Sequence, residues 1–487
     1  MAGYSFQDFT TSGFWAKNLD FPSDALTYNA LQEGLWLKDG KADLSSWKGK
    51  NQIAGIFGRV NYSYNDKYIF SASLRREGSS KFGANNKYGI FPAVSMGWRI
   101  SKMGFMQSVT AVNDLKIRGG VGVAGREGFD RYTSPATYSG AGRYLAEGAW
   151  IKVFGPANNP NPDLKWEKAI NYNMGLDFTL FDSRLSGSFD AFQRMSKDMI
   201  FNYDAPVPPM IQDQIWVNVG TTQNRGVELN LDYQVIKKTD FTYDMNFVGS
   251  YNKSIIKSLS NDKYNRPFFD DYDLPSPGNP GRAFRNMEGH EIGSFYGLRY
   301  AGVDDLGRFL IYNKNGEKVL SSTKTEEDKA FIGNGVPKFQ LSWNNVIRYK
   351  NLDLTLYFRG YFKYDILNLK QMYYGLQSVS NVNLLKDAFD RNAAIKSEKE
   401  FSDYFLEKGD FLKLDVVNIG YNVKMKNTFK YINNFRVYLS AKNLFTITKY
   451  TGLDPAQVDI TGLQPGIEDK GSYPTVRSFT LGLKITF

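Results

Sequence analysis

The sequence predicts an all-β protein, a transmembrane antiparallel β-barrel with about fourteen strands in this chain. Three observations predict it. Apolar and polar residues alternate at period two in about a dozen separate stretches. The polar face of nearly every stretch carries a charge. Connections between stretches alternate strictly between short and long. Outer-membrane barrels combine lipid-facing and lumen-facing residues on each strand with short periplasmic turns and long outer loops. A soluble β-sandwich also alternates, but nothing in its architecture sorts connections by length.

The elements follow in chain order. Gly3 to Gln7 reads as the end of an upward strand whose outer loop covers 8–50. Ile56, Val60, Tyr62 and Tyr64 then share one face, and the chain returns with Tyr68, Phe70, Ala72 and Leu74. Val94, Met96, Trp98 and Ile100 come next, then Leu115, Ile117, Val121 and Val123. Ile170, Tyr172, Met174, Leu176, Phe178 and Leu180 oppose Asn171, Asn173 and Asp177, and Leu185, Phe189 and Ala191 follow. Val227 to Val235 oppose Glu228, Asn230 and Asp232; Phe241 to Phe247 oppose Asp244 and Asn246. Phe339 to Tyr349 and Leu352 to Phe358 form the next pair. Parity changes between Leu412 and Val423, which one inserted residue, a β-bulge, would produce. Phe435, Val437, Leu439 and Ala441 precede the final strand, whose lipid face is Phe479, Leu481, Leu483, Ile485 and Phe487. That last stretch is the C-terminal barrel-assembly strand.

Short links fall at 65–67, 181–183, 236–240, 350 and 424–433, with 101–113 longer but in phase. Long links fall at 77–89, 125–165, 196–225, 253–337, 361–410 and 449–475. Tyr62, Tyr64, Tyr68, Phe178, Phe181, Tyr233, Phe241 and Tyr349 lie near the short turns, where an interfacial aromatic girdle belongs.

Composition excludes several classes. Among 487 residues there is no run of about 18 apolar residues, so a helical membrane protein is excluded. With 31 Tyr, 36 Phe and 45 Gly, the balance suits short strands and tight connections. The absence of Cys removes disulfides, thiolate metal sites and a cysteine nucleophile. The net charge of +10 is spread along the chain without a basic block, which argues against nucleic acid. His290 is the only histidine, so a two-histidine metal site cannot be built, and no cluster of partners around it suggests a catalytic triad. Gly119 to Gly122 lacks the Lys-Ser/Thr of a phosphate loop. No enzyme activity and no cofactor are expected. The opening Met1-Ala-Gly-Tyr-Ser-Phe-Gln7 has neither the basic nor the apolar region of a signal peptide. An outer-membrane protein needs one, so the chain reads as the back part of something longer or as a chain whose address was removed.

Several motifs are recognisable. They are Phe21 to Ala30, Arg76 to Gly83 with Gly89 to Arg99, Leu115 to Gly122, and Asn161-Pro-Asp-Leu-Lys-Trp-Glu167. The end adds Asn443 to Pro455, closing on Thr-Gly-Leu-Asp-Pro, and Gly471 to Leu483. Together they resemble the SusC/RagA-type TonB-linked outer-membrane proteins over essentially the whole chain. The resemblance implies a 22-stranded barrel that imports large nutrients, oligosaccharides or peptides, across the outer membrane. It also implies a SusD-like outer-membrane lipoprotein as a lid and energy from the TonB complex. The carboxypeptidase-like domain, TonB-contacting segment, plug and first strands of that family have no counterpart here, which places Gly3 to Gln7 in the ninth strand. The alternatives are a plugless passive porin, a surface adhesin or a soluble β-sandwich.

Ligand contact is expected from aromatic residues of the outer loops: Tyr144, Trp150, Phe268, Phe269, Tyr272, Tyr373 and Tyr374. Rings stack on sugar faces while nearby polar groups satisfy hydroxyls. Asp270, Asp271 and Asp273 offer oxygens to a calcium ion, although a solvated acidic loop is the simpler reading of their spacing.

Overall fold

In hydrocarbon, a strand can satisfy its backbone N–H and C=O groups only through neighbouring strands. The computed structural model describes residues 1–27, 29–277, 280–379, 382–424, 432 and 434–486. Fourteen strands of the described residues pair in one antiparallel sheet, in sequence order. They are β1 (Ala2–Lys17), β2 (Asp43–Tyr64), β3 (Tyr68–Ser79), β4 (Tyr88–Arg99), β5 (Val112–Arg126), β6 (Glu167–Leu180) and β7 (Leu185–Lys197). The second half is β8 (Thr221–Lys237), β9 (Phe241–Ser258), β10 (Phe339–Tyr349), β11 (Leu352–Phe362), β12 (Phe411–Lys424), β13 (Asn434–Thr448) and β14 (Ser478–Thr486). Among the described residues, β1 pairs only with β2 and β14 only with β13, so these two strands are the edges.

Neighbours joined by short links have tight turns. Tyr64 pairs with Tyr68 across a turn in which Asn65 and Asp66 both take positive φ, a conformation that Asn and Asp tolerate better than most residues. The predicted parity change is a bulge: the β11–β12 register slips between Tyr357 and Phe358, leaving Asp415 unpaired. The predicted turn at 424–433 and the terminal Phe487 lie outside the described residues, apart from Lys424 at the end of β12 and residue 432.

The two faces separate as the alternation requires. Met96, Met174 and Leu481 are 65%, 64% and 73% exposed, and Ile56, Val60, Leu74, Val121, Tyr172 and Ile419 are exposed beside them. No second sheet of the described residues covers this face; its apolar side chains stand free, as lipid-facing residues must. Tyr62, Tyr64, Tyr68, Phe181 and Tyr349 are exposed at the short-turn ends, where the girdle was expected. Asn345 interrupts the apolar face of β10. It is buried, and its Oδ1 accepts a hydrogen bond from the Tyr243 hydroxyl at 2.7 Å.

The first hairpin departs from expectation. Residues 8–17 and 43–50 are not loop; they pair in register from Asp8↔Gln52 to Lys17↔Asp43, leaving only 18–42 as the connection. In this stretch polar residues (Asp8, Thr10, Thr11, Lys48, Lys50) and large apolar ones (Phe9, Phe14, Trp15, Leu44, Trp47) fall on both faces, so the regular alternation stops while the hydrogen-bond ladder continues.

The largest hydrophobic core lies in the long connections, not in the wall. Residues 259–338 and 363–410 fold together around Phe284, Phe295, Phe309 and Ile311 from the first, and Leu367, Leu369, Met372, Tyr373, Leu376 and Phe405 from the second. Phe284 and Phe295 stack at 4.5 Å. Burying each such ring stabilises by about 1.5–3 kcal/mol, so this outer cap is held by its own core.

Candidate functional site

The residues alternating with the lipid face carry the charges of the wall, and they meet across strands. Arg118 on β5 reaches Asp177 on β6 (3.0 Å), Asp190 on β7 (2.7 Å) and Asn173 (3.1 Å), while Lys116 also binds Asp177 (2.9 Å). Asn246 on β9 donates to Asn230 and Asp232 on β8. Arg348 on β10 pairs with Asp244 at 2.8 Å, Arg436 on β13 with Asp353 on β11, and Arg359 with the bulged Asp415 at 2.6 Å. Each pair is partly wet and individually weak. Together they fix strand register and make this face polar, opposite the apolar one.

Arg118 is the hub. Arg118→Ala removes the shared cation of two carboxylates at once, leaving Asp177 with Lys116 and Asp190 with Asn173, and is expected to cost about 1–2 kcal/mol. The shift should appear as a lower temperature at which the folded band disappears from a heat-modifiability gel.

Above the wall, the final connection (449–477) is threaded between the two halves of the cap. Lys413 on β12 and Asp454 form a buried ion pair at 2.8 Å, 2% and 4% exposed. Asp454 also accepts from the Thr475 hydroxyl and the Ala456 amide. Burial pushes its carboxyl up, but the hydrogen bonds from Lys413, Thr475 and Ala456 outweigh burial and hold it below the usual carboxylate range. Buried Glu468 takes the Tyr450 hydroxyl and lies 3.2 Å from the Lys370 ammonium. Ile467 pairs with Leu367 of one half of the cap, while Gln464 donates to Asp271 and Lys470 to the Ser276 carbonyl of the other. This connection is a strap. The Thr-Gly-Leu-Asp-Pro motif is its anchor.

The expected ligand residues divide. Tyr144 and Trp150 are exposed on a hairpin formed by Tyr138–Ala146 and Ala149–Pro156. Phe268 is exposed but covers Arg285, which lies 4.2 Å from its ring, 3.8 Å from the Tyr296 ring, and is held by both oxygens of Asp270. Phe269 leans on Phe201 at 6.0 Å. Tyr272 and Tyr374 pack against the cap core. Tyr373 is a correction: it is 1% exposed, its hydroxyl donates to the Pro275 carbonyl, and burial pushes that hydroxyl up to about 12. It offers no face to a ligand, because a six-residue helix (Leu369–Tyr374) turns it into the core. The acidic cluster is internally engaged: Asp270 by Arg285, Asp273 by Arg282 (2.9 Å), and Asp271 by Gln464 (2.8 Å). His290 stacks on Phe331 at 4.0 Å.

The profile of the family described as "TonB dependent receptor-like, beta-barrel" matches residues 2–444. The chain belongs to that family. It is a receptor barrel of the SusC/RagA type, and its place is the outer membrane. The family is one of transport receptors, not enzymes. TonB-dependent receptor P3 of Formosa agariphila is 30% identical over all of the chain and 50% of its own length. TonB-dependent receptor SusC of Bacteroides thetaiotaomicron is 28% identical over 91% of the chain and 44% of its own. The RagAB peptide importer in its closed-closed state superposes with a TM-score of 0.83 at 24% identity, over all of this chain and 53% of that one. That likeness carries the fold of the receptor barrel. The barrel spans about half the length of the curated relatives it matches.

The Arg118 hub, the strap and the packed cap were not read from the sequence. Only the strap left a signal, in the quoted motif that contains Asp454.

Proposed function

We propose that this chain forms wall and outer cap of a TonB-dependent importer of large nutrients, oligosaccharides or peptides, with a SusD-like lipoprotein seated on the cap. The observation that carries the reading is a SusC/RagA-type wall whose long connections are not loose loops but a packed cap with its own core. A channel for ions alone has no use for such a structure, whereas capture of a large solute does. The two open edges also support a wall that takes on further strands, since unpaired backbone groups in hydrocarbon cost several kcal/mol each.

The test is uptake by cells lacking the gene for this chain. Labelled oligosaccharides and peptides should accumulate in the parent, fail to accumulate in the deletion strain, and fail in the parent once a protonophore collapses the proton gradient. Uptake that survives the protonophore would identify a passive porin. Unchanged uptake in the deletion strain would remove this chain from import altogether.

A further inference from the structure

We infer that a cleft at the outer end of β5 and β6 is a subsite for a sugar ring, a proposal that rests on the import reading and names residues for it. Five separate stretches of chain build the cleft, which has a volume of about 320 Å³. Its walls include Trp216, Phe129, Lys81, Glu127, Asp130 and Glu167. Glu167 is the first residue of β6 and has the parity of Asn171, Asn173 and Asp177, so the cleft opens at the mouth of the channel face. The outer-loop aromatics singled out from the sequence do not line it.

The polar groups are fixed before any ligand arrives. The Lys81 ammonium donates to the carbonyls of Glu127 (3.3 Å) and Phe129 (3.1 Å) and lies 3.6 Å from Glu127 Oε1. Glu167 Oε1 accepts from the Ile200 amide at 3.1 Å, and its other oxygen is 3.8 Å from Arg126. Glu127 Oε2 is buried and has no donor.

The chemistry selects the ligand class. The carboxylates of Glu127, Asp130 and Glu167 are acceptors only, and although Lys81, Arg126 and the Ile200 amide already face Glu127 and Glu167, lone pairs remain for an occupant that presents several donors within a few ångströms. A pyranose ring does so with its hydroxyls and offers an apolar face to Trp216. A peptide segment of the same volume carries about one backbone N–H per residue and so meets fewer of these lone pairs. The size suits one or two rings, with the remainder of the oligosaccharide extending into the channel.

The test uses the full chain in detergent on an array of neutral and charged glycans, beside a peptide library, with Glu127→Gln and Trp216→Ala as variants. The expected result is retention of at least one glycan, with affinity reduced about tenfold or more by each variant while heat-modifiable mobility stays at the parent value. Retention of no glycan, or equal retention by both variants, overturns the proposal. Peptide binding lost on the same substitutions assigns the cleft to peptides and overturns it as well. Failure here is separable from failure of the import reading, because energy-dependent uptake in cells is measured without reference to this cleft: uptake unaltered by Glu127→Gln removes the subsite and leaves the importer.

Discussion

Met174→Arg is expected to prevent stable insertion of the wall, while Ser95→Arg is expected to be tolerated. Met174 lies well inside β6, six residues from the short turn that follows Leu180, and points out of the sheet with 64% exposure. If that face meets lipid, a guanidinium there costs about 2–4 kcal/mol near the bilayer midplane. Ser95 on β4 faces the other way, paired with Gly120 and next to a broad open recess lined by Ser71, Ser73 and Ala93. An arginine there enters water. The comparison is read as the yield of heat-modifiable protein in outer-membrane fractions. Equal yields for the two variants would remove the lipid assignment of the Met174 face.

Asp454→Ala is expected to release the strap and loosen the cap without dissolving the wall. Lys413 and Asp454 are almost fully enclosed. Removing one partner leaves an uncompensated buried charge, at a cost of about 3–5 kcal/mol. Removing both, as in Lys413→Met with Asp454→Leu, is expected to cost less than the single change, because the desolvation of two ions disappears together with their attraction and only the hydrogen bonds from Thr475 and Ala456 are lost. Hydrogen exchange should show the single variant losing protection in 449–477 and in the paired segment Asp365–Asn368, with the wall unchanged. Acid acts on the same group. Its folded carboxyl is held below the usual range, so its contribution is fully present above the unfolded value of about 3.9. That contribution is lost as pH falls through the depressed folded value. Protection in the strap, corrected for the intrinsic pH dependence of amide exchange, should therefore be flat above about pH 5 and fall only in stronger acid.

These two expectations mark what could be read in the sequence. Strand parity is a local property: each side chain's face follows from its neighbour's, so Met174 and Asn173 were assignable without knowing what surrounds them. Connection lengths are equally local, and the wall emerged with its strand count and its bulge at Asp415. The cap was not legible. Its core joins Phe284 and Phe295 to Met372 and Phe405, residues about a hundred positions apart, and no periodicity spans that distance. Tyr373 was misread for the same reason, since an aromatic residue in a long connection looks alike whether a ligand or a core covers it. Lys413 and Asp454 are 41 positions apart, and only coordinates show that they meet. The first hairpin was misjudged because lipid, not backbone pairing, writes the apolar alternation, and pairing continues above the lipid.

Single-cysteine scanning of β6 from Ile170 to Phe178 tests the central assignment most directly, and the chain has no native cysteine to remove. Spin labels on the strand in bilayers should show period-two accessibility: oxygen dissolved in the lipid relaxes labels at Ile170, Tyr172, Met174, Leu176 and Phe178, and a water-soluble nickel chelate relaxes those at Asn171, Asn173, Gly175 and Asp177. If the even-numbered positions are instead shielded from both reagents, as residues clamped between stacked sheets would be, or are open to the nickel chelate, the apolar face does not meet lipid.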